Sequence, residues 1–442
     1  MANQPAVSSE PAAHHLRVEG RDCWVLSSQA NSHYFYVPTL RLALNVGTRC
    51  AGQLIAGMVP TAIAHRMKLS EPNAIKPAPR TKNAFHLGLG LTQDCTLRCT
   101  YCHAEADKPG LAEWPLLESA IQHAVKKAEL TPKKTLSVSF AVGGEPTLPW
   151  DLFRRTVERI KSVTEDRHSS VERTFLSMTT NGYYGDAKRA FVGQQFDTLT
   201  LSLDGPPDIQ NLHRPNRSGG SSYDVVAATC THFLKHGKAR LGLRATVSSV
   251  SVGRMSETVE HFHSKFGQGY TITFEPLVPI GRALQPGCVG PPDMAQYTEE
   301  FLRARDVGRR LGLRVIVSGA SLDRLTSWFC GAMVIPSFAL CLNGTVTACH
   351  RDYEGRDYGY GHLTPGVTPA FQQDDSRLRE LELLATMPQE CNHCFGKFHC
   401  AGDCPDFRRS GGSRCTFQRA VLFAQLRELF GHHGKGENCN GC

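Results

Sequence analysis

The chain has 442 residues, a length that fits two or three domains, and 41% of them are hydrophobic, enough to bury a core. A net charge of +8 is modest at this size; it suits an anionic or peptide partner and gives no reason to expect nucleic acid. No apolar run approaches the ~18 residues of a membrane span, and MANQPAVSSEPAAHH lacks the regions of a signal peptide, so the expected location is cytoplasmic, with no membrane partner.

Residues 1–15 read as a flexible leader. Strands are expected in 18–28 (VEGRDCWVLSS) and 33–45 (HYFYVPTLRLALN), then short helices in 47–58 and 60–69. Strands followed by two short helices suggest a winged-helix-like module over 1–83. Pro77 and Pro79 mark a linker. An alternation of elements then begins. Strands are expected at Phe85–Leu91, Leu136–Val142, Thr174–Thr179, Thr198–Leu203, Leu241–Val247 and Tyr270–Phe274. Helices are expected between them at Leu116–Leu130, Trp150–Val163, Asp186–Gln194, Tyr223–His236 and Ser256–Phe266. Repeated β-then-α units imply parallel strands and an α/β fold, a partial (β/α)6 TIM-type barrel over 84–318. Chemistry in such barrels sits on the loops after the strands.

Those loops carry the unusual residues. The first holds Cys95, Cys99 and Cys102 in LTQDCTLRCTYCH. The later ones hold Gly143-Gly144-Glu145-Pro146, Thr180-Asn181-Gly182, SLDGPPDIQNLHRPNRSGG and Glu275-Pro276. Seventeen cysteines in a reducing compartment are unlikely disulfides, and they cluster in 95–102, 330–349, 391–415 and 439–442. Only Cys23, Cys50, Cys230 and Cys288 stand alone. Three adjacent thiolates suit a soft metal centre, either an iron–sulfur cluster with one open iron or a zinc site that adopts His103 as a fourth ligand.

The C-x3-C-x2-C triplet, GGEP and SLDG, in this order and spacing over Phe85–Pro279, resemble the radical S-adenosylmethionine superfamily. The resemblance implies that Cys95, Cys99 and Cys102 bind a [4Fe–4S] cluster whose open iron chelates S-adenosylmethionine. Tyr101 would lie against the adenine. Gly143 and Gly144 would let the backbone approach the methionine ammonium, with Glu145 as its negative partner. Asn181 and Ser202 are candidates for the ribose and carboxylate, and Arg244 for the carboxylate. An electron from a reductant such as flavodoxin or ferredoxin would cleave the sulfonium and yield a 5′-deoxyadenosyl radical.

Beyond Leu311 the pattern changes. Cys330, Cys349, Cys391, Cys394, Cys400, Cys404 and Cys415 resemble, spacing by spacing, the SPASM extension of these enzymes, here a cysteine-rich domain over 319–430. By that resemblance Cys330, Cys349 and Cys404 serve one auxiliary [4Fe–4S] cluster, with Cys341 its natural fourth ligand. Cys391, Cys394, Cys400 and Cys415 serve a second, making three clusters in all. Structural zinc is the alternative. The tail 431–442, with Cys439 and Cys442, reads as a flexible segment or a redox pair. In this company the N-terminal module resembles the peptide-recognition element of ribosomal-peptide maturases, which captures a leader as an added strand. An accessory packing domain is the alternative.

The leading expectation is therefore a maturase that oxidises or crosslinks residues of a precursor peptide through a thioether, ether or C–C bond. A second is an anaerobic sulfatase-maturating enzyme that makes formylglycine. Those enzymes place Asp after the cysteine matching Cys349, where this chain has His350, with Asp352 two further on; both are candidate acid/base groups. A third is a non-enzymatic zinc protein that binds nucleic acid.

Overall fold

The computed structural model describes residues 10–432 apart from 29–31, 73, 76–82, 105–109, 320, 368–369 and 410–412. The first nine residues of the leader, the Pro77/Pro79 linker and the Cys439/Cys442 tail lie outside the described residues. Two units are present, one within 1–79, 319–330 and 385–442, the other within 80–318 and 331–384. This differs from a linear division at 84, 319 and 431. The N-terminal module shares a unit with the cysteine-rich segment, and 331–384 joins the barrel strands.

The N-terminal module is an antiparallel meander of β1 (Ala12–Val18), β2 (Arg21–Ser27), β3 (His33–Val37) and β4 (Leu42–Val46). Helices α1 (Thr48–Ile55) and α2 (Thr61–Leu69) follow. β1 begins inside the stretch expected to be a flexible leader. Its pairing with β2, His15 opposite Trp24, orders it. One sheet face, with Cys23, Val25, Phe35 and Val37, packs on Leu54 of α1 and on Ile63 and Met67 of α2. Trp24, Leu26, Tyr34 and Tyr36 on the other face are buried as well. Burial on both faces is why CWVL reads as a continuous apolar run rather than an alternation.

The second unit holds the alternation. Its elements are β5 (Ala84–Gly90), α3 (Trp114–Glu129), β6 (Thr135–Val142), α4 (Trp150–Thr164), β7 (Arg173–Thr180), α5 (Asp186–Gln195), β8 (Thr198–Ser202), α6 (Pro207–His213), α7 (Tyr223–His236), β9 (Arg240–Val247), α8 (Met255–Phe266), β10 (Tyr270–Pro276), α9 (Met294–Arg310) and β11 (Arg314–Ile316). β5 to β10 pair in sequence order and in parallel. The expected six strands are thus all present, each within a residue or two of its expected ends. The sheet extends beyond them: β11 adds to β10, and β12 (Phe338–Leu340) adds to β5, both in parallel. After the short α10 (Gly331–Val334) and β12 come β13 (Thr345–Thr347), β14 (Gly359–Leu363) and β15 (Phe371–Gln373), which continue antiparallel before α11 (Asp375–Ala385).

The two faces of the parallel strands differ. Leu136, Val138 and Phe140 of β6 and Leu199 and Leu201 of β8 are buried. Helices supply apolar stripes of their own: Phe153, Val157 and Ile160 of α4 recur at helical spacing. The alternate positions, among them Ser137, Ser139, Ser177, Thr200 and Arg244, are small or polar and incompletely buried. A closed barrel fills its interior with branched apolar side chains; this open sheet keeps a polar face. Because the strands are parallel, the loops at 91–103, 143–147, 181–182, 203–205 and after Pro276 share one rim.

Within the first unit, the C-terminal segment carries the short helices α12 (Lys397–Cys400) and α13 (Pro405–Arg409) and then α14 (Cys415–His432). Phe395, Leu422, Phe423 and Leu426 pack against the Trp24 face of the sheet. Each such buried side chain is worth about 1.5–3 kcal/mol. Polar groups at this seam are paired: Trp24 Nε1 donates to His393 O (3.0 Å), Lys397 Nζ to Asp22 Oδ2 (2.7 Å), and Tyr36 Oη to His399 Nε2.

Candidate active site

The three thiols of the triplet sit on the loop after β5, and that loop is held from two sides. From one side, GGEP lies along Thr92–Asp94: Gly144 N donates to Thr92 O (2.8 Å) and Glu145 N to Asp94 O (2.9 Å). A Cβ at Gly144 would stand 2.0 Å from Asp94 O. A Cβ at Gly143, whose φ is +84°, would stand 2.7 Å from Thr92 O. These glycines therefore serve a close approach between two loops of the protein itself.

From the other side, residues 213–217 run beside the triplet. Leu97 bridges Asn216, Arg98 N donates to Pro215 O (2.7 Å), and Thr100 N to His213 O (2.9 Å). Arg217 Nε donates to Cys95 O (2.7 Å). Below them Asp204, fully buried, gathers four donors. These are Tyr101 Oη, His213 Nδ1 (3.1 Å), Arg214 Nε (3.0 Å) and the backbone N of Thr246 (2.9 Å). Burial opposes ionisation of Asp204, but the Arg214 guanidinium and the His213 and Tyr101 bonds hold its carboxyl far below the usual range. This cluster lies in the stretch SLDGPPDIQNLHRPNR, where the sequence signals only a turn. The HRPNR run is the one local cue.

Two donors point at the sulfurs. Asn181 Nδ2 donates to Cys95 Sγ (3.3 Å), and Arg214 Nη1 to Cys99 Sγ (3.9 Å). Burial pushes the Cys95 thiol up to about 11, with Glu145 and Cys102 adding to it. Burial pushes Cys99 up to about 12; Arg214 opposes this, while Cys102 and Cys95 reinforce it. Thiolates at such a place need a metal's positive charge to exist near neutral pH. Among the described residues, no three His, Cys, Asp or Glu side chains converge tightly enough to grip a single ion. The donor set, three half-buried soft thiols with N–H groups aimed at two of them, fits a thiolate-ligated cluster.

The remaining candidates take distinct places. Glu145 is buried with its acceptors engaged: Oε1 takes Thr147 Oγ1 (2.8 Å) and Thr180 Oγ1 (2.9 Å), and Oε2 takes Asn181 N (2.8 Å). Burial raises its carboxyl despite these bonds. Ser202 ends β8 and is buried. Arg244 lies opposite it in register on the polar face. Tyr101 turns its hydroxyl to Asp204, with its ring edge-on to His213 at 5.6 Å. His103, next to Cys102, is held neutral: burial, then the charges of Arg351, His350 and Arg244, depress its pKa to about 3. His350 thus neighbours the triplet loop and is exposed. Asp352 instead organises a turn: its carboxylate accepts from the backbone N of Arg356 (2.9 Å) and Tyr358 (2.7 Å) and from Thr347 Oγ1 (3.0 Å).

The other cysteines divide by unit. Cys341 lies in the turn between β12 and β13 and Cys349 just after β13, in the hairpin beside β5; Cys341 is buried and its Sγ donates to Asp352 O (3.6 Å). In the first unit, Cys391, Cys394, Cys400 and Cys415 each lie within electrostatic reach of at least one other of the set. Cys404 lies within reach of Cys330.

A family model described as the radical SAM superfamily matches residues 89–263. The cysteine-type anaerobic sulfatase-maturating enzyme of Clostridium perfringens is 26% identical over 175 residues, 39% of this chain and 46% of that protein. The chain thus matches about half the length of this curated relative. Among solved structures, native anSMEcpe with bound AdoMet and Cp18Cys peptide superposes with a TM-score of 0.57, 19% identity, over 79% of this chain and 99% of that one. Streptococcus suis SuiB bound to S-adenosylmethionine gives a TM-score of 0.50 and 14% identity, over 85% and 93%. At these identities the structures share the fold.

Proposed function

We propose that this chain, an enzyme whose residues 89–263 form a radical S-adenosylmethionine domain, oxidatively modifies a residue of a ribosomally synthesised precursor peptide. The observation that carries this reading is the N-terminal sheet, whose outer strands β1 and β4 have no further strand paired to them among the described residues. Both faces of that sheet are covered. Its edges are where an extended leader would add. A peptide beside AdoMet in the anSMEcpe structure supports a peptide-accepting fold.

Cys95, Cys99 and Cys102 would hold the [4Fe–4S] cluster. With S-adenosylmethionine bound, the pair supplies a hydrogen-abstracting 5′-deoxyadenosyl radical once a flavodoxin or ferredoxin donates an electron. The chain's own residues position and insulate. Asn181 and Arg214 donate to the sulfurs, and Gly143 and Gly144 lock GGEP onto the loop. Glu145 retains acceptor capacity on Oε2 for the methionine ammonium. Ser202 and Arg244 would take the remaining polar groups of the cofactor, and the Tyr101 ring would lie against its adenine. His350 would take a proton from the oxidised substrate. Cys391, Cys394, Cys400 and Cys415 would hold one auxiliary cluster, and Cys330, Cys349 and Cys404, with Cys341, another.

Formylglycine formation on a sulfatase is the second reading, favoured by the curated relatives. The non-enzymatic zinc reading is set aside by the family match. The reconstituted protein is incubated with S-adenosylmethionine, dithionite and either a peptide from any short open reading frame found beside its gene or a sulfatase-motif peptide bearing Cys. Mass spectrometry that finds hydrogen lost from the precursor, with the sulfatase peptide unchanged, supports the first reading. Loss of sulfur from the sulfatase peptide alone overturns it.

A further inference from the structure

Arg214 is buried, with 8% of its surface exposed. Its guanidinium has two neighbours, each on a different nitrogen. Nε donates to Asp204 Oδ2 at 3.0 Å, and Nη1 points to Cys99 Sγ at 3.9 Å. The guanidinium carbon stands 5.2 Å from the centre of the Tyr101 ring. The residues around it, 213–217, are laid along the triplet loop by backbone bonds. The cation is therefore fixed in place and cannot swing to solvent. Arginine remains charged at any accessible pH. Asp204 is its counter-charge, bonded to Nε while Nη1 meets Cys99, and its own negative charge also reaches the sulfur.

We propose that Arg214 is a positioning residue that sets the reduction potential of the cluster held by Cys95, Cys99 and Cys102, with Asp204 moderating it. The proposal rests on the radical S-adenosylmethionine reading of that triplet. Reduction adds one electron from the external reductant, so the cluster's charge falls by one unit and no proton moves. A fixed positive charge beside a ligand sulfur favours the more negative, reduced form, and a nearby negative charge disfavours it. Charge and hydrogen bonds at the sulfurs are recognised levers on such potentials.

Opposite signs follow for the two members of the pair. Arg214→Gln lowers the potential, and at fixed poise the reduced-to-oxidised ratio falls about tenfold, equivalent to ~59 mV for one electron. Arg214→Lys keeps the charge and stays near wild type. Asp204→Asn removes the negative charge, leaves a hydrogen-bonding side chain, and raises the potential. A purely structural salt bridge predicts no such split, since losing either partner loosens the same loop.

The test is a mediated redox titration of the full-length reconstituted protein, followed by electron paramagnetic resonance. The cluster is identified as the signal that changes when S-adenosylmethionine is added, and iron per chain is counted for each variant. Shifts of opposite sign, with the lysine variant unmoved, are expected. Shifts of the same sign, or none, with iron retained, overturn the proposal. Should Arg214→Gln lose its cluster, the other two variants decide: an unchanged or lowered potential in Asp204→Asn, or a lysine variant that shifts about tenfold in ratio, overturns it. If wild-type protein has no S-adenosylmethionine-responsive signal, and Cys99→Ala costs no iron, the underlying reading of the triplet fails instead.

Discussion

At the scale of the residue, glycine spacing decides whether the triplet loop can form. Gly144 has no room for a Cβ, because Asp94 O would be 2.0 Å away and both groups are backbone. Gly144→Ala should cost about 1–3 kcal/mol or more through forced backbone movement next to Cys95. Both the melting temperature and the iron content should fall. Gly52 is the control. It lies exposed within α1 with nothing within 4 Å of its Cβ position, so Gly52→Ala should stabilise by up to about 1 kcal/mol. A melting curve for Gly144→Ala that matches wild type would contradict the close approach. The need for glycine at 143 and 144 is written in the sequence as GGEP, but what they approach is not. The partner, Thr92–Asp94, is some fifty residues earlier and is brought there by parallel pairing of β5 with β6.

At the scale of the element, the six parallel strands and five of the helices were legible because apolar periodicity and short turns are local properties. The triplet was legible for the same reason, since its three cysteines fall within one loop. Asp204, His213 and Arg214 were not. A buried acid with an arginine ten residues later has no distinguishing pattern until a helix, α6, folds one back on the other. The attachment of β1 was equally hidden, because AAHH has no strand signature until paired with Trp24 and its neighbours. That strand and β2 also carry a pH-dependent contact. Burial works against ionisation of Asp22, yet its bonds to Lys397 and His15 outweigh that and hold its carboxyl below the usual carboxylate range. A depressed carboxyl stabilises above its unfolded value, and the stabilisation is lost as pH falls through the folded one. Asp22→Asn should therefore cost about 2 kcal/mol at pH 7 and less at pH 3, as the folded carboxyl begins to protonate. Urea melts at the two values, monitored on β1–β2 by amide exchange, measure the difference. An equal loss at both would exclude a charge-based contact.

At the scale of the whole molecule, sequence order misleads about which parts belong together. Residues 10–79 complete their core with 385–432, as Tyr36 to His399, 363 positions apart, shows. Chain separation of that size leaves no trace in any local window. It also ties the N-terminal sheet to the proposed ligands, because Cys400 packs at the Trp24 face and Arg419 pairs with Glu10 while lying near Cys394 and Cys415. Metal binding free energy is partly folding free energy. Removing iron by anaerobic chelation should therefore speed amide exchange in β2 and β3 as well as in 391–415. Fast exchange confined to 391–415 would show that the sheet stands without its metal.

The same seam has a bearing on biosynthesis. Trp24, Leu26, Tyr34 and Tyr36 leave the ribosome early, while Phe395, Leu422, Phe423 and Leu426 leave it about 360–400 residues later. At ~5–20 residues per second, the first face waits roughly 20–80 s for its cover. During that interval the nascent chain displays an aromatic strand surface to solvent, so a chaperone that shields it until synthesis ends would govern how much active protein a cell obtains.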